Sequence, residues 1–400
     1  MNKDKHIPQG YKDSPLGIIP KEWEVKKLGE VCNISVGRDV QVDHFSEFMT
    51  NVYKYPVYSN TIEEKGLYGY YNYEEYTKGK VTVVGRGVGL GTSFARDNGF
   101  GAIGRLVVLT PKEKLSNHYL ESYINNKVHF FVESAAIPQL TGEQIASYKI
   151  AIPSLSEQKK IEEYIQLWDT AIEKLSELIE KLKLRKRALM QQLLTGKKRL
   201  PEFSGEWKKR TYSNILIEVK RSLKWDENEL YKLISVRRRS EGLFFRESLY
   251  GRDIATKNLR PAKTGDFLIS KMQIVHGASG LVTNEFDDAK ISGSYISLVS
   301  KDSNILDIRY YNLWSQMPIF YHQTFVSSFG VHIEKMTFDL DTFMSFSMLL
   351  PPIDEQHAIV SLIESINKEI KLANEKLTNY QSQKRGLMQQ LLTGKKRINS

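Results

Sequence analysis

The chain contains a part of itself twice. The segment KRALMQQLLTGKKRL (Lys186–Leu200) returns as KRGLMQQLLTGKKRI (Lys384–Ile398), each matched residue displaced by 198 positions. The displacement extends upstream, where Pro153, Glu157, Gln158, Ile161 and Ile165 match Pro351, Glu355, Gln356, Ile359 and Ile363. No gap is needed between residues 153–200 and 351–398, so the shared element has a fixed length, as a rigid spacer would. A period near 200 residues is the duplication of a domain-sized unit, whereas solenoids repeat every ~20–50 residues. The 400 residues suffice for two such units, each with its own core.

Both copies predict a long helix. Apolar residues fall at Ile161, Ile165, Trp168, Ile172, Leu175, Ile179, Leu182, Leu189 and Leu193, in steps of four and three with Lys186 as the one exception. The second copy gives Ile359, Ile363, Ile366, Ile370, Ala373, Leu377, Tyr380, Leu387 and Leu391, broken at Lys384. A mean step of ~3.5 residues is a coiled-coil seam, so the two helices are expected to pack on each other. Ser156 and Asp354 are candidate N-caps, and Gly196 and Gly394 candidate terminators.

The segments before the helices share less. Short β-rich runs such as VTVVG, RLVVL, DFLIS and YISLV, punctuated by Gly and Asn, predict α+β domains with much loop. Glu22-Trp23 opens one and Glu206-Trp207 the other, and Gly79–Val84 echoes Gly265–Ser270. The expected organisation is an α+β domain over residues 1–152, a long helical segment over 153–198, a second α+β domain over 199–350 and a second helical segment over 351–400. If the helices pair antiparallel, the two similar domains are related by a pseudo-twofold axis. A varied part should read something, and a constant part should bind something that stays the same.

This organisation resembles the specificity subunit of type I restriction-modification systems. The resemblance covers nearly the whole chain: Pro15-Leu16-Gly17-Ile18-Ile19-Pro20-Lys21-Glu22-Trp23, the junctions Pro153-Ser154-Leu155-Ser156-Glu157-Gln158 and Pro351-Pro352-Ile353-Asp354-Glu355-Gln356, and the twin LMQQLLTG helix ends. It implies two target-recognition domains, each reading one half of a bipartite duplex DNA site, with the helices separating them and docking two methyltransferase subunits. It also implies no cofactor on this chain, with S-adenosylmethionine, ATP and Mg on partner methyltransferase and restriction/translocase subunits. A helix from Glu157 to Leu194 reaches ~57 Å at ~1.5 Å per residue. That suits half-sites about one DNA turn apart. On this ruler reading, four residues inserted near Thr195 lengthen the gap between half-sites.

Charge agrees with a polyanionic partner: 57 Lys and Arg against 47 Asp and Glu leave +10. Base readout needs Arg, Lys, Asn or Gln in a groove, and phosphate contact needs cations and the amides of Gly-rich loops. The candidates are Arg38, Arg86, Arg96 and Arg105 in the first domain and Arg237, Arg238, Arg239, Lys271 and Gln273 in the second. Arg86 sits in VGRGVGLG, whose counterpart is KMQIVHG from Lys271, and Arg38 and the triple arginine each follow an Ile-Ser-Val run. Tyr68, Tyr70, Tyr71, Tyr73 and Tyr76 read as packing before base stacking. The basic helix ends, Lys183–Arg187 with Lys197–Arg199 and Lys384-Arg385 with Lys395–Arg397, suit phosphate or a partner protein.

Two other classes compete, a free-standing DNA-modifying enzyme and a coiled-coil scaffold with no nucleic-acid role. Gly99–Gly104 fits GxGxxG but runs into the strand-like Arg105–Leu109 where a nucleotide site needs a helix. Glu24-Val25-Lys26 and Glu218-Val219-Lys220 are chance ExK triplets with no Pro-Asp upstream, and no methyltransferase Pro-Pro-Tyr motif or complete phosphate loop appears. The eight histidines show no metal-ligand spacing. The opening MNKDKHIPQG lacks an apolar h-region, no run of ~18 apolar residues could cross a bilayer, and the lone Cys32 forms no internal disulfide, which together suit a reducing cytoplasm.

Overall fold

The computed structural model describes residues 7–131, 139–333 and 336–398; the first six residues of the charged opening lie outside them. The chain divides into two compact units. The first joins the described residues up to Ser176 with those from Glu375 onward, and the second is Glu177–Asn374. Each unit therefore holds one α+β domain and a part of both long helices.

The main sheet of each domain has four antiparallel strands. In the first unit the order is Cys32–Val36, Val107–Pro111, Lys80–Val83, Ser93–Arg96, and in the second Leu216–Glu218, Tyr295–Ser300, Phe267–Ser270, Ser279–Leu281. The central strands are mostly apolar or β-branched, as suits strands covered on both faces. Val81, Thr82, Val83 and Val107–Leu109 are fully buried, as are Phe267–Ile269. Cys32 lies in the same core, and burial pushes its thiol up to about 12, leaving it neutral. Second sheets are built around a parallel pair, Tyr55–Tyr58 with Gly101–Ala102 and Leu230–Val236 with Lys290–Ser292. A two-stranded ladder closes each domain by pairing its early strand with its last: Glu24–Lys27 with Lys149–Ile152, and Lys208–Thr211 with Ser347–Leu350. The closing strand hands the chain to Pro153 or Pro351, which cannot donate to the ladder, and the long helix begins.

Those helices, Leu155–Leu193 and Ile353–Leu391, have 39 residues each and bounds that match at the repeat offset. Every seam residue expected from the spacing is buried or half-buried. Lys186 and Lys384 keep the seam's phase and are half-buried too, so the seam is interrupted chemically and not geometrically. Within the first unit the helices run antiparallel. Trp168 meets Tyr380 edge-on with centroids 5.4 Å apart, and Asp169 accepts from Lys384. Within the second, Met190 and Leu193 share a core with Ile359, Ile363 and Ile366. Among the described residues no helix is long and apolar enough to cross a membrane.

The repeated motifs converge where each helix pair meets its domain. In the first unit Arg397 donates through Nε to Glu157 Oε1 at 2.7 Å and through Nη2 to Oε2 at 3.1 Å, while Trp23 Nε1 donates to the same carboxylate at 3.0 Å. In the second, Arg199 forks onto Glu355 at 3.0 and 2.6 Å, and Trp207 Nε1 completes the set at 3.0 Å. The planar guanidinium matches the carboxylate bidentately and offsets its burial. Gln158 and Gln356 tie the next element down. Each donates to a preceding proline carbonyl and accepts the amide, Ser116 or Asp307, that opens a helix of the domain. Gly196 and Gly394 end the helices at positive φ of 69° and 66°, turning each GKKR tail toward its clamp. Of the basic helix ends, Arg199 and Arg397 are thus structural.

Candidate nucleic-acid interface

In the first unit three predicted arginines are gathered on exposed backbone. The main-sheet strand Cys32–Val36 leads to Gly37-Arg38, whose carbonyls accept the amides of Arg105 and Gly104 at 3.0 and 2.9 Å. Gly37 permits this approach, since a Cβ there would stand 2.7 Å from the Ala102 carbonyl. Arg86 follows Gly85, and the Gly85 amide donates to Asn60 Oδ1 at 2.8 Å while Asn60 Nδ2 donates to the Gly104 carbonyl. Arg38, Arg86 and Arg105 are all exposed. Asn60 holds their loops together. Sequence reading passed it over because nothing local distinguishes it from any other loop asparagine.

Arg96 is a different kind of residue. It is 5% exposed, donates through Nε to Thr82 Oγ1 at 2.9 Å and through Nη2 to the Lys65 carbonyl at 2.7 Å, and stacks 3.4 Å from the Tyr58 ring centre. Burial lowers its pKa to about 10, which still leaves it charged at neutral pH. Its guanidinium is engaged inside the domain, in contrast to the exposed Arg38, Arg86 and Arg105.

The second unit assembles its candidates around one turn. Arg239 donates its amide to the His276 carbonyl at 2.7 Å and Ser240 to Gly277 at 2.8 Å, while the Gln273 carbonyl accepts from Ala278 at 3.2 Å. The exposed Arg237–Arg239 segment therefore lies against the turn Ile274–His276, flanked by half-buried Lys271 and Gln273. Gln273 Oε1 is buried without a hydrogen-bond partner among the described residues, and Arg237 lies 5.1 Å from the Phe244 ring centre. Lys271–Gly277 and Val84–Gly91 follow corresponding main-sheet strands, as the sequence suggested. The triple arginine does not correspond to Arg38. It follows Leu230–Val236, a second-sheet strand whose counterpart Tyr55–Tyr58 leads to Asn60.

Arg105 and Arg239 both adopt left-handed backbone, with φ of 66° and 59°. A side chain there costs about 1–3 kcal/mol that glycine would not, a strain typical of functional loops. Of the tyrosines, Tyr71 is buried and stacks on Tyr73 at 5.1 Å, Tyr76 stacks on Phe100 at 5.2 Å, and Tyr68 is exposed. Gly101–Ala102 and Val107–Pro111 are strands, so the GxGxxG run opens no helix. What the geometry offers is two sets of mobile-length cationic side chains on rigid sheets, with glycine amides beside them, and the two sets differ in residue and in topology.

The profile of the type I restriction modification DNA specificity domain matches residues 20–184. A putative type I specificity subunit of Mycoplasma pneumoniae is 31% identical over 156 residues, 38% of this chain and 45% of that protein. The chain spans about half the length of the three Mycoplasma proteins it matches. The specificity subunit of the type I restriction enzyme MjaVIII of Methanocaldococcus jannaschii is 21% identical over 412 residues, covering 95% of this chain and 94% of that one. Among solved structures, the type I restriction-modification S subunit from M. genitalium superposes with a TM-score of 0.59 at 10% identity, covering 100% and 99% of the two chains. A chain from a study of complex assembly and conformational transition in a type I system gives 0.57 at 15% identity, covering 94% and 99%. These two likenesses concern the fold.

Proposed function

Because the chain belongs to the family of type I restriction-modification specificity subunits, we propose that it is the non-catalytic DNA-recognition subunit of such a complex. Each unit reads one half of an asymmetric bipartite duplex target, and the spacer helices dock two methyltransferase subunits. S-adenosylmethionine, ATP and Mg belong to those partners and to the restriction subunits that join through them. The observation that carries this reading is one junction built twice, Glu157–Arg397–Trp23 and Glu355–Arg199–Trp207, beneath two unlike sets of arginine loops. Identical supports suit an identical partner, and unlike loops suit unlike half-sites.

The test is reconstitution. Alone, the chain transfers no methyl group; with the cognate methyltransferase it binds DNA sequence-specifically and with a steep salt dependence. Methyl transfer by the chain alone would establish the free-standing enzyme instead, and a mixture that selects no sequence would leave a scaffold. The same assay, read by methylation sequencing, addresses the ruler. Thr195 is the wrong place to lengthen it: the helix stops at Leu193, and an insertion there would pull Arg199 off Glu355. Seven residues placed after Ser176 and again after Asn374 keep the seam in phase and add ~10 Å, about three base pairs. The gap between unchanged half-sites should grow by that amount.

A further inference from the structure

The second unit has a cleft about twice the volume of the one at the equivalent place in the first unit. A cavity of about 980 Å³ lies between the end of the first long helix and the domain, with Met190, Leu194, Trp314, Met317 and Ile370 among its walls. Five cations line it, Lys183, Lys186, Arg187, Lys197 and Arg239, and no carboxylate does. Lys183 is paired with Glu180 along its own helix. Lys186 is half-buried on the seam with no acidic partner among the described residues, and burial lowers its pKa.

At the equivalent place in the first unit, the cavity is about 450 Å³ and balanced in charge: Lys384 and Arg385 face Asp169 and Glu121. There Lys384 donates to Asp169. At the repeat offset Lys384 corresponds to Lys186 and Asp169 to Asn367, and Asn367 lines the larger cleft. One substitution, Asp to Asn, has left the second lysine without the carboxylate that its twin holds.

We propose that this cleft seats an acidic, apolar segment of the methyltransferase subunit, whose carboxylate meets Lys186 where Asp169 meets Lys384 in the first unit. The inference rests on the reading of this chain as a methyltransferase-docking subunit. Charge complementarity selects the occupant: an apolar floor excludes a bare phosphate chain as the best fit, and an all-cationic rim excludes a purely apolar segment. The two docking places on this chain are then unequal, one neutralised internally and one completed by the partner.

The experiment measures methyltransferase binding to the full chain, wild type against K186M and N367D. N367D restores the pair with which the first unit is already built, so it preserves the fold while supplying the carboxylate from within. Both variants should weaken binding about tenfold or more, through faster dissociation. Unchanged affinity in K186M and N367D overturns the proposal. Loss of duplex DNA binding in both variants with methyltransferase binding intact also overturns it and gives the cleft to phosphate. Should the wild type bind no methyltransferase, the docking reading has failed by itself. A titration with decanoate then decides the cleft: uptake that depends on Lys186 assigns it to a small amphipathic acid, and the protein occupant is lost.

Discussion

The two units agree strand for strand in their main sheets and part company in the second. Both second sheets contain a hairpin and a parallel neighbour, but the first adds Phe45–Ser46 beside Leu67–Tyr71, whereas the second adds Leu259–Pro261 beside Lys290–Ser292, at the opposite edge. Agreement holds where each domain touches its helices and clamp. Difference collects where Asn60 and Arg237–Arg239 leave the sheet. A duplicated chain can vary a sheet edge at small cost, because an edge strand has one partner; it cannot vary a buried ion pair shared with a helix of fixed length.

The largest effect that separates the units should come from the glycines that end the helices. Both are left-handed, but a Cβ on Gly394 would fall 2.3 Å from Pro20 Cδ, whereas one on Gly196 would meet Trp207 at 3.3 Å. Proline cannot swing away, and the indole can shift by the few tenths required. G394A should therefore cost about 3 kcal/mol, combining backbone strain with overpacking, and G196A about 1 kcal/mol. Urea denaturation of the two variants checks this, and equal losses would mean that the two helix ends are packed alike.

A smaller contrast concerns arginines of one unit. Arg96 is paired across the ladder from Lys80, and the second unit places Val282 at that position, opposite Asp266. R96M should cost about 2 kcal/mol, because Thr82 Oγ1 and the Lys65 carbonyl lose their donor. R105A should leave stability unchanged and weaken DNA binding of the reconstituted complex by about 1–3 kcal/mol at one half-site only. Thermal melts and methylation sequencing separate the two outcomes. R105A losing stability, or R96M losing DNA binding with its fold intact, would reverse the assignment of the two arginines.

The helices, their seam and the duplication were legible because each rests on spacing, which survives in one dimension. Lys186 and Lys384 look like breaks, yet they hold the seam's period; only the fold shows that, among the described residues, one has an acid across from it and the other does not. The arginine loops were legible as loops but not as sets. Arg96 is indistinguishable in sequence from Arg105, since a buried and an exposed arginine in strand-edge contexts differ only in what surrounds them in space. The same limit hid Asn60, whose two hydrogen bonds reach Gly85 and Gly104, 25 and 44 residues away. It also hid Glu157 and Glu355, visible as motif letters but not as the acceptors of arginines 240 and 156 residues distant.

The smallest difference between the units is one of proton affinity. Gln158 anchors the Ser116 amide and Gln356 the Asp307 amide, so His118 and Arg309, two residues further on, occupy matching places. His118 Nε2 lies 2.9 Å from Asp97 Oδ1, and its Nδ1 faces Glu121. The pairing with Glu121, aided by the charge of Asp97, raises its pKa from 6.5 to about 9. Arg309 makes the corresponding pairs with Asp307 and Glu364 and stays charged throughout. A group whose folded pKa exceeds its unfolded value contributes fully below the unfolded pKa and loses that contribution as pH rises through the folded one. The first unit should thus weaken between pH 6.5 and about 9 through this residue, and the second should not through its own. The imidazole is 47% exposed, and solvent screening keeps the effect under about 1 kcal/mol. H118R gives the first unit the second unit's cation. Its melting temperature should equal the wild type's at pH 6.5 and exceed it increasingly toward pH 9, and a difference that stays flat across that window would show that the His118 pairs contribute nothing to folding.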